Sequence, residues 1–238
     1  MSPEIKGELL EGRFAKVLAE FRRRRARNPD LRPFAVEFFG TPKSGKTTMG
    51  KTAQHFLKRN GCLVSAPPEG AEVVETPRTT PHYNLETCRY ALSQLHQRQT
   101  GPFEVVLLDR GLYDGIMWLD YWRKKGHLKA EEQSVIEDYY RLPLLRGLFD
   151  LHLCLVCEPE TALAREIAQT ISKKDGETMN PDSLRKLLDS HRAAWDRFDC
   201  GGDSKMFWRD TTADSPVDSA LAVLEAMVVA FERRLQTS

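Results

Sequence analysis

Apolar and polar positions along the chain alternate between two periodicities. Five short runs dense in apolar residues have the length of strands: AVEFF (35–39), CLVSA (62–66), EVVLL (104–108), LHLCLV (151–156) and KMFW (205–208). Between and around them the apolar positions recur at helical spacing. Ile5, Leu9, Phe14, Val17, Leu18 and Phe21 predict an amphipathic helix over 4–27. Met49, Ala53, Phe56 and Leu57 share one face before Asn60 and Gly61 stop the next helix. Asn180 and Pro181 open another, carrying Leu184, Leu187, Leu188, His191, Trp195 and Phe198. Asp214, Ser215 and Pro216 open the last, with Val217, Leu221, Leu224, Val228 and Phe231. Strands that alternate with helices, several of them almost wholly apolar, predict an α/β protein whose parallel sheet is covered on both faces. Residues 1–31 read as an N-terminal amphipathic helical extension to a single α/β domain over 32–238, with no linker and no internal repeat.

Composition adds exclusions. The 238 residues are 41% hydrophobic and 29% charged, as in ordinary globular chains. Lys and Arg number 35 against 34 Asp and Glu, so the net charge of +1 gives no overall attraction to nucleic acid or anionic membrane. No stretch has the roughly 20 apolar residues of a membrane helix, and the N-terminal residues lack the apolar core of a secretory signal. The expected location is therefore cytoplasmic. Arg22, Arg23, Arg24, Arg25 and Arg27 stand where the negative end of the first helix favours cations, and read as a solvated basic face. The five cysteines are odd in number and scattered, which argues against a disulfide framework. Cys154 and Cys157 lie three apart on a strand, on opposite faces, and read as buried thiols rather than a metal pair. The six histidines show no ligand spacing, and Trp118, Trp122, Trp195 and Trp208 read as core.

The chemistry enters at the end of the first strand, where FFGTPKSGKTT fits G-x-x-x-x-G-K-[ST]. Glycines let such a loop curl so that successive N–H groups converge on phosphate oxygens. The phosphate-binding residues are then Gly40, Thr41, Pro42, Lys43, Ser44, Gly45, Lys46, Thr47 and Thr48. Lys46 supplies charge to the β and γ phosphates, and the Thr47 hydroxyl coordinates Mg2+. Such a loop needs a carboxylate near its metal, and Asp109 follows the buried run EVVLL. Arg110 is placed to reach a phosphoryl group, or to close a salt-bridged strand end. Glu69, after CLVSAPP, is a candidate general base or a helix N-terminal acid. Arg78 lies in a turn-rich stretch that suits either a substrate contact or a solvated loop. Asp114 either caps a helix or holds a substrate group. Arg165 runs into a polar stretch with Lys173, Lys174, Asp175 and Gly176 that reads as a lid over about 165–180, which would exclude water from a transferring phosphoryl group.

With FFGTPKSGKTT, LLDRG, CEPETALARE and WRDTT in this order, residues 34–235 resemble the thymidylate kinase and deoxynucleoside kinase branch of the P-loop kinases. That resemblance implies a three-layer α/β/α sandwich with a five-stranded parallel sheet and a helical lid. It also implies Mg-ATP as donor and a nucleoside or nucleoside monophosphate as acceptor. It carries Arg165 over as a lid arginine and brings Asp210 and Thr211 near the adenine. Gly111 after Arg110, and APPEG in place of an Arg-Glu-Pro run, depart from thymidylate kinases. The DRGLYD form with its upstream PEG also resembles nicotinamide-riboside-type P-loop kinases.

Charge gives a preference among acceptors. A monophosphate is repelled by Glu69, whereas a sugar hydroxyl needs a base there, although Arg78 and Arg110 pull the other way. Two readings from other classes stand beside the kinase: a nucleotide-dependent switch read by a protein partner, and a polynucleotide-end kinase that would use the arginine run. A homodimer through the aromatic-rich segment around Trp118 and Trp122 is an open reading beside core packing.

Overall fold

The computed structural model describes residues 2–168 and 178–237. Chain order is α1 (Pro3–Arg27), β1 (Phe34–Gly40), α2 (Lys46–Arg59), β2 (Val64–Ser65), α3 (Gly70–Val73), α4 (Pro81–Arg98), β3 (Val105–Asp109) and α5 (Leu112–Lys124). It continues with α6 (Ala130–Tyr140), α7 (Pro143–Arg146), β4 (Leu151–Val156), α8 (Pro159–Ile167), α9 (Pro181–Arg197), β5 (Met206–Asp210) and α10 (Pro216–Thr237). The five strands form one parallel sheet in the order β2-β3-β1-β4-β5. β1 is central, and its seven residues are all buried.

Alternation along β1 divides the core. Phe34, Val36 and Phe38 face a cluster built with α1, α2 and α10. Ala35 and Phe39 face the other side, with Cys88, Leu112, Tyr113, Ile116 and Leu188 of α4, α5 and α9. Phe231 of α10 ties the first cluster together, stacked on Phe34 at 4.4 Å and edge-on to Phe21 at 5.3 Å. The helix over residues 3–27 therefore packs against the sheet layer, with Phe14 and Phe21 fully buried.

Two expectations change and one open reading closes. CLVSA forms only a two-residue strand, because β2 is an edge paired on one side and its neighbours Leu63 and Ala66 are not in the ladder. The arginine run is not a solvated face throughout. Arg22 grips the buried Glu104 carboxylate at 2.5 and 3.0 Å, and Arg25 donates to the carbonyls of Phe103 and Gly101 at 2.6 Å each. Both close the carbonyl-rich edge that leads into β3. The aromatic segment around Trp118 and Trp122 is no surface for a second copy: α5 is buried from Leu112 to Trp122 between α4, α6 and α9. All five thiols are free and buried, Cys154 on the α5 side of the sheet and Cys157 just past the end of β4.

Candidate active site

β1 delivers its end into a tight curl over residues 40–45. Gly40 has φ 131°, and a Cβ there would stand 1.8 Å from the Leu155 carbonyl oxygen of β4, so only glycine lets the two strand ends close. Lys43 and Gly45 also take left-handed φ, at 56° and 96°. These reversals turn the backbone around Lys46 at the start of α2. The Lys46 ammonium is buried and donates to the Thr41 carbonyl at 2.7 Å. Burial, then the neighbouring Arg110, draws its pKa below the usual lysine value, against the pull of Asp109, Asp114 and Glu69.

At the end of β3, Asp109 Oδ2 accepts from the Thr47 hydroxyl at 2.6 Å, while Asp109 Oδ1 is buried with no partner among the described residues. Burial raises the Asp109 pKa, and Lys46 opposes the rise. Hydroxyl and carboxylate oxygens side by side, one of them orphaned, are hard donors that fit Mg2+, which takes few protein ligands and completes its shell with water and phosphate. Among the described residues no larger group of His, Cys, Asp or Glu stands ready for a metal.

Arg110 follows in the left-handed region, φ 72°, and its N–H bonds to the Phe38 carbonyl at 2.8 Å. This turn sends the guanidinium between two carboxylates: Nε donates to Glu69, and Nη1 approaches Asp114 at 3.3 Å. Burial works against its charge, but Asp114, Glu69 and Asp109 together push its pKa up. Glu69 does stand at the N-terminus of α3, yet its side chain makes no capping bond and goes to Arg110 instead. Asp114 is fully buried, and burial raises its pKa against Arg110.

A cleft of about 850 Å³ opens over these groups, lined by residues 42–49 together with Glu69, Arg78, Asp109, Arg110, Arg165 and Thr211. Gly40, Thr41 and Asp114 lie behind that lining and hold it. Arg78 is tied to the Ala71 carbonyl at 2.8 Å, with its guanidinium 5.9 Å from the Tyr83 ring centre. Arg165 braces the curl, donating to the carbonyls of Lys43 (3.0 Å) and Thr211 (2.7 Å). Thr211 in turn donates to the Ser44 carbonyl at 3.0 Å. Asp210 is not in the lining; it accepts from Thr212 at 2.5 Å, and Asp214, Pro216 and Ser219 line that side instead. Of the expected lid, Lys173, Lys174, Asp175 and Gly176 lie outside the described residues.

Sequence reading missed Tyr83, Asn84, Trp118 and Trp122, which line the far end of the cleft. Trp122 Nε1 donates to Asn84 Oδ1 at 2.7 Å, and the Trp118 indole N–H is buried with no partner among the described residues. A signal existed: Asp114, Trp118 and Trp122 recur every four residues, one face of a helix that starts beside Arg110.

The deoxyadenosine kinase from M. mycoides with products dCMP and a flexible dCDP bound superposes with a TM-score of 0.55 at 17% identity. The match covers 86% of this chain and 100% of that one. The chain shares the fold of that kinase, one five-stranded parallel sheet flanked by helices. The same M. mycoides enzyme with bound dATP gives a TM-score of 0.51 at 16% identity, covering 81% of this chain and 97% of that one. No protein-family model and no curated protein matches the sequence.

Proposed function

We propose that this P-loop kinase fold moves the γ-phosphoryl group of Mg-ATP to a hydroxyl of a nucleoside. The observation that carries the reading is Glu69, fastened by Arg110, on the cleft wall shared with Lys46, Thr47 and Asp109. Thr47 and Asp109 would hold Mg2+, which when bound neutralises charge on the phosphate oxygens. Lys46 supplies positive charge to the phosphoryl oxygens from its buried position, where the low dielectric strengthens the attraction. Glu69 accepts the acceptor's proton as the hydroxyl oxygen bonds to phosphorus and the bond to the ADP oxygen breaks. Arg110 keeps the Glu69 carboxylate in place, so its fork is already engaged by Glu69 and Asp114 rather than open to an acceptor phosphate. Arg165, bonded to the loop, steadies the phosphate cradle. Two carboxylates around one committed arginine favour a neutral hydroxyl over an anionic monophosphate. The likeness to deoxyadenosine kinases supports the nucleoside side of this reading, and the aromatic end of the cleft offers flat surface for a base.

The test is ADP release from Mg-ATP over a panel of nucleosides and nucleoside monophosphates, with Lys46→Ala as the inactive reference. Nucleosides are expected to stimulate turnover and monophosphates are not. Glu69→Gln is expected to lower kcat about 100-fold while ATP binding stays within about two-fold. Stimulation by monophosphates alone would overturn the hydroxyl acceptor. A panel without effect, with ATP still bound, would favour the nucleotide-dependent switch.

A further inference from the structure

Glu37 is absent from the chemistry above, yet it is wholly buried in the central strand β1. A carboxylate there is costly unless both oxygens are engaged, and both are. Oε2 meets His152 Nδ1 of β4 at 2.7 Å, and Oε1 accepts the backbone N–H of Asp114 at 3.0 Å. Asp114 is the third residue of α5, whose N-terminal Gly111 offers no side-chain cap. Glu37 therefore caps α5 from the sheet, satisfying an N–H that the helix leaves open and meeting the positive end of its dipole. The fit is close: a Cβ on Gly111 would lie 2.8 Å from Glu37 Cδ, so the glycine after Arg110 and the glutamate in β1 depend on each other. His152 is in turn held edge-on to Tyr113 at 4.5 Å, one residue before Asp114.

We propose that Glu37, held by His152, is a positioning residue that anchors the first turn of α5 to β1 and so sets Arg110 against Glu69. The path is short. Glu37 fixes Asp114 through its N–H, the Asp114 carboxylate takes one nitrogen of Arg110, and the Arg110 backbone is bonded to Phe38, the residue after Glu37. The consequence for turnover rests on the hydroxyl-phosphorylating reading, whereas the consequence for Arg110 does not.

The experiment therefore has two readouts on the full chain. The first is the Arg110 Nε–H resonance in the 15N-labelled protein, identified by its disappearance in Arg110→Lys. It is expected to be slowly exchanging in the wild type and in Glu37→Gln, which keeps an acceptor for Asp114. In Glu37→Leu, which keeps volume without an acceptor, and in Gly111→Ala, which pushes on the carboxylate, it should shift and exchange faster. The second is the nucleoside-dependent rate: kcat falls about 100-fold in those two variants, with KM for ATP nearly unchanged and Glu37→Gln restoring most of the rate. An Arg110 resonance unaltered in both folded variants overturns the proposal, whatever the rate. The expected change in that resonance, in a protein that phosphorylates no nucleoside, sustains the positioning role and sinks the functional reading.

Discussion

His191 of α9 is fully buried, and its Nδ1 lies 2.8 Å from the Leu187 carbonyl, so that nitrogen carries the proton and Nε2 has no partner among the described residues. Burial, with Lys46 and Arg110 nearby, lowers its pKa to about 4. The folded protein thus resists a proton that the unfolded chain accepts near its ordinary histidine value. This contribution to stability is present above that value and is lost as pH falls toward 4. Its full size is about 3 kcal/mol. Urea unfolding of wild type and His191→Gln from pH 7 to pH 4 checks it: the wild type should show the steeper loss. The same scale shows what sequence can disclose. The curl from Gly40 to Gly45 around Lys46 was legible because left-handed turns and a close approach of strand ends restrict the residue types at fixed intervals. Glu37, Asn84 and Trp122 were not, because their partners arrive from elements 35 or more residues away.

Among the elements, α1 shows how a basic run acquires a structural use. Glu104 is only 6% exposed in its side chain, and Arg22 is the cation that answers it, supported by the Leu63 N–H at 2.8 Å. Arg22→Ala should cost about 1–3 kcal/mol in chemical denaturation, since it leaves a buried carboxylate short of a partner. Arg23→Ala, at a side chain 70% exposed, should stay within about 0.5 kcal/mol. The period of α1 and of the later helices was readable because each presents a full apolar stripe. β2 was not readable as a two-residue edge, because an apolar run does not reveal how many of its residues find a ladder. The aromatic segment of α5 stayed open between a core and an interface, because aromatic residues suit both, and the packing of α4, α6 and α9 decides for the core.

Taken whole, the molecule is a sheet between two apolar layers, and α1 supplies Leu10, Phe14, Val17, Leu18 and Phe21 to one of them. Removing residues 1–31 should therefore prevent cooperative folding, seen as loss of the thermal transition by circular dichroism. Phe21→Ala alone should cost about 3–5 kcal/mol. The parallel sheet and its two covering layers followed from alternation that acts over the whole chain, whereas the strand order and the contents of the cleft followed from contacts that only the finished sheet assembles. The buried thiols make the whole chain self-reporting. Burial raises the pKa of Cys88, Cys154 and Cys157, and lifts Cys200 to about 11, so little thiolate exists in the native state. An alkylating reagent thus counts openings rather than molecules, and modification at each cysteine clocks how often its layer parts from the sheet. Cys157, its sulfur 3.7 Å from the Pro42 carbonyl, gives that clock a hand on the curl over residues 40–45.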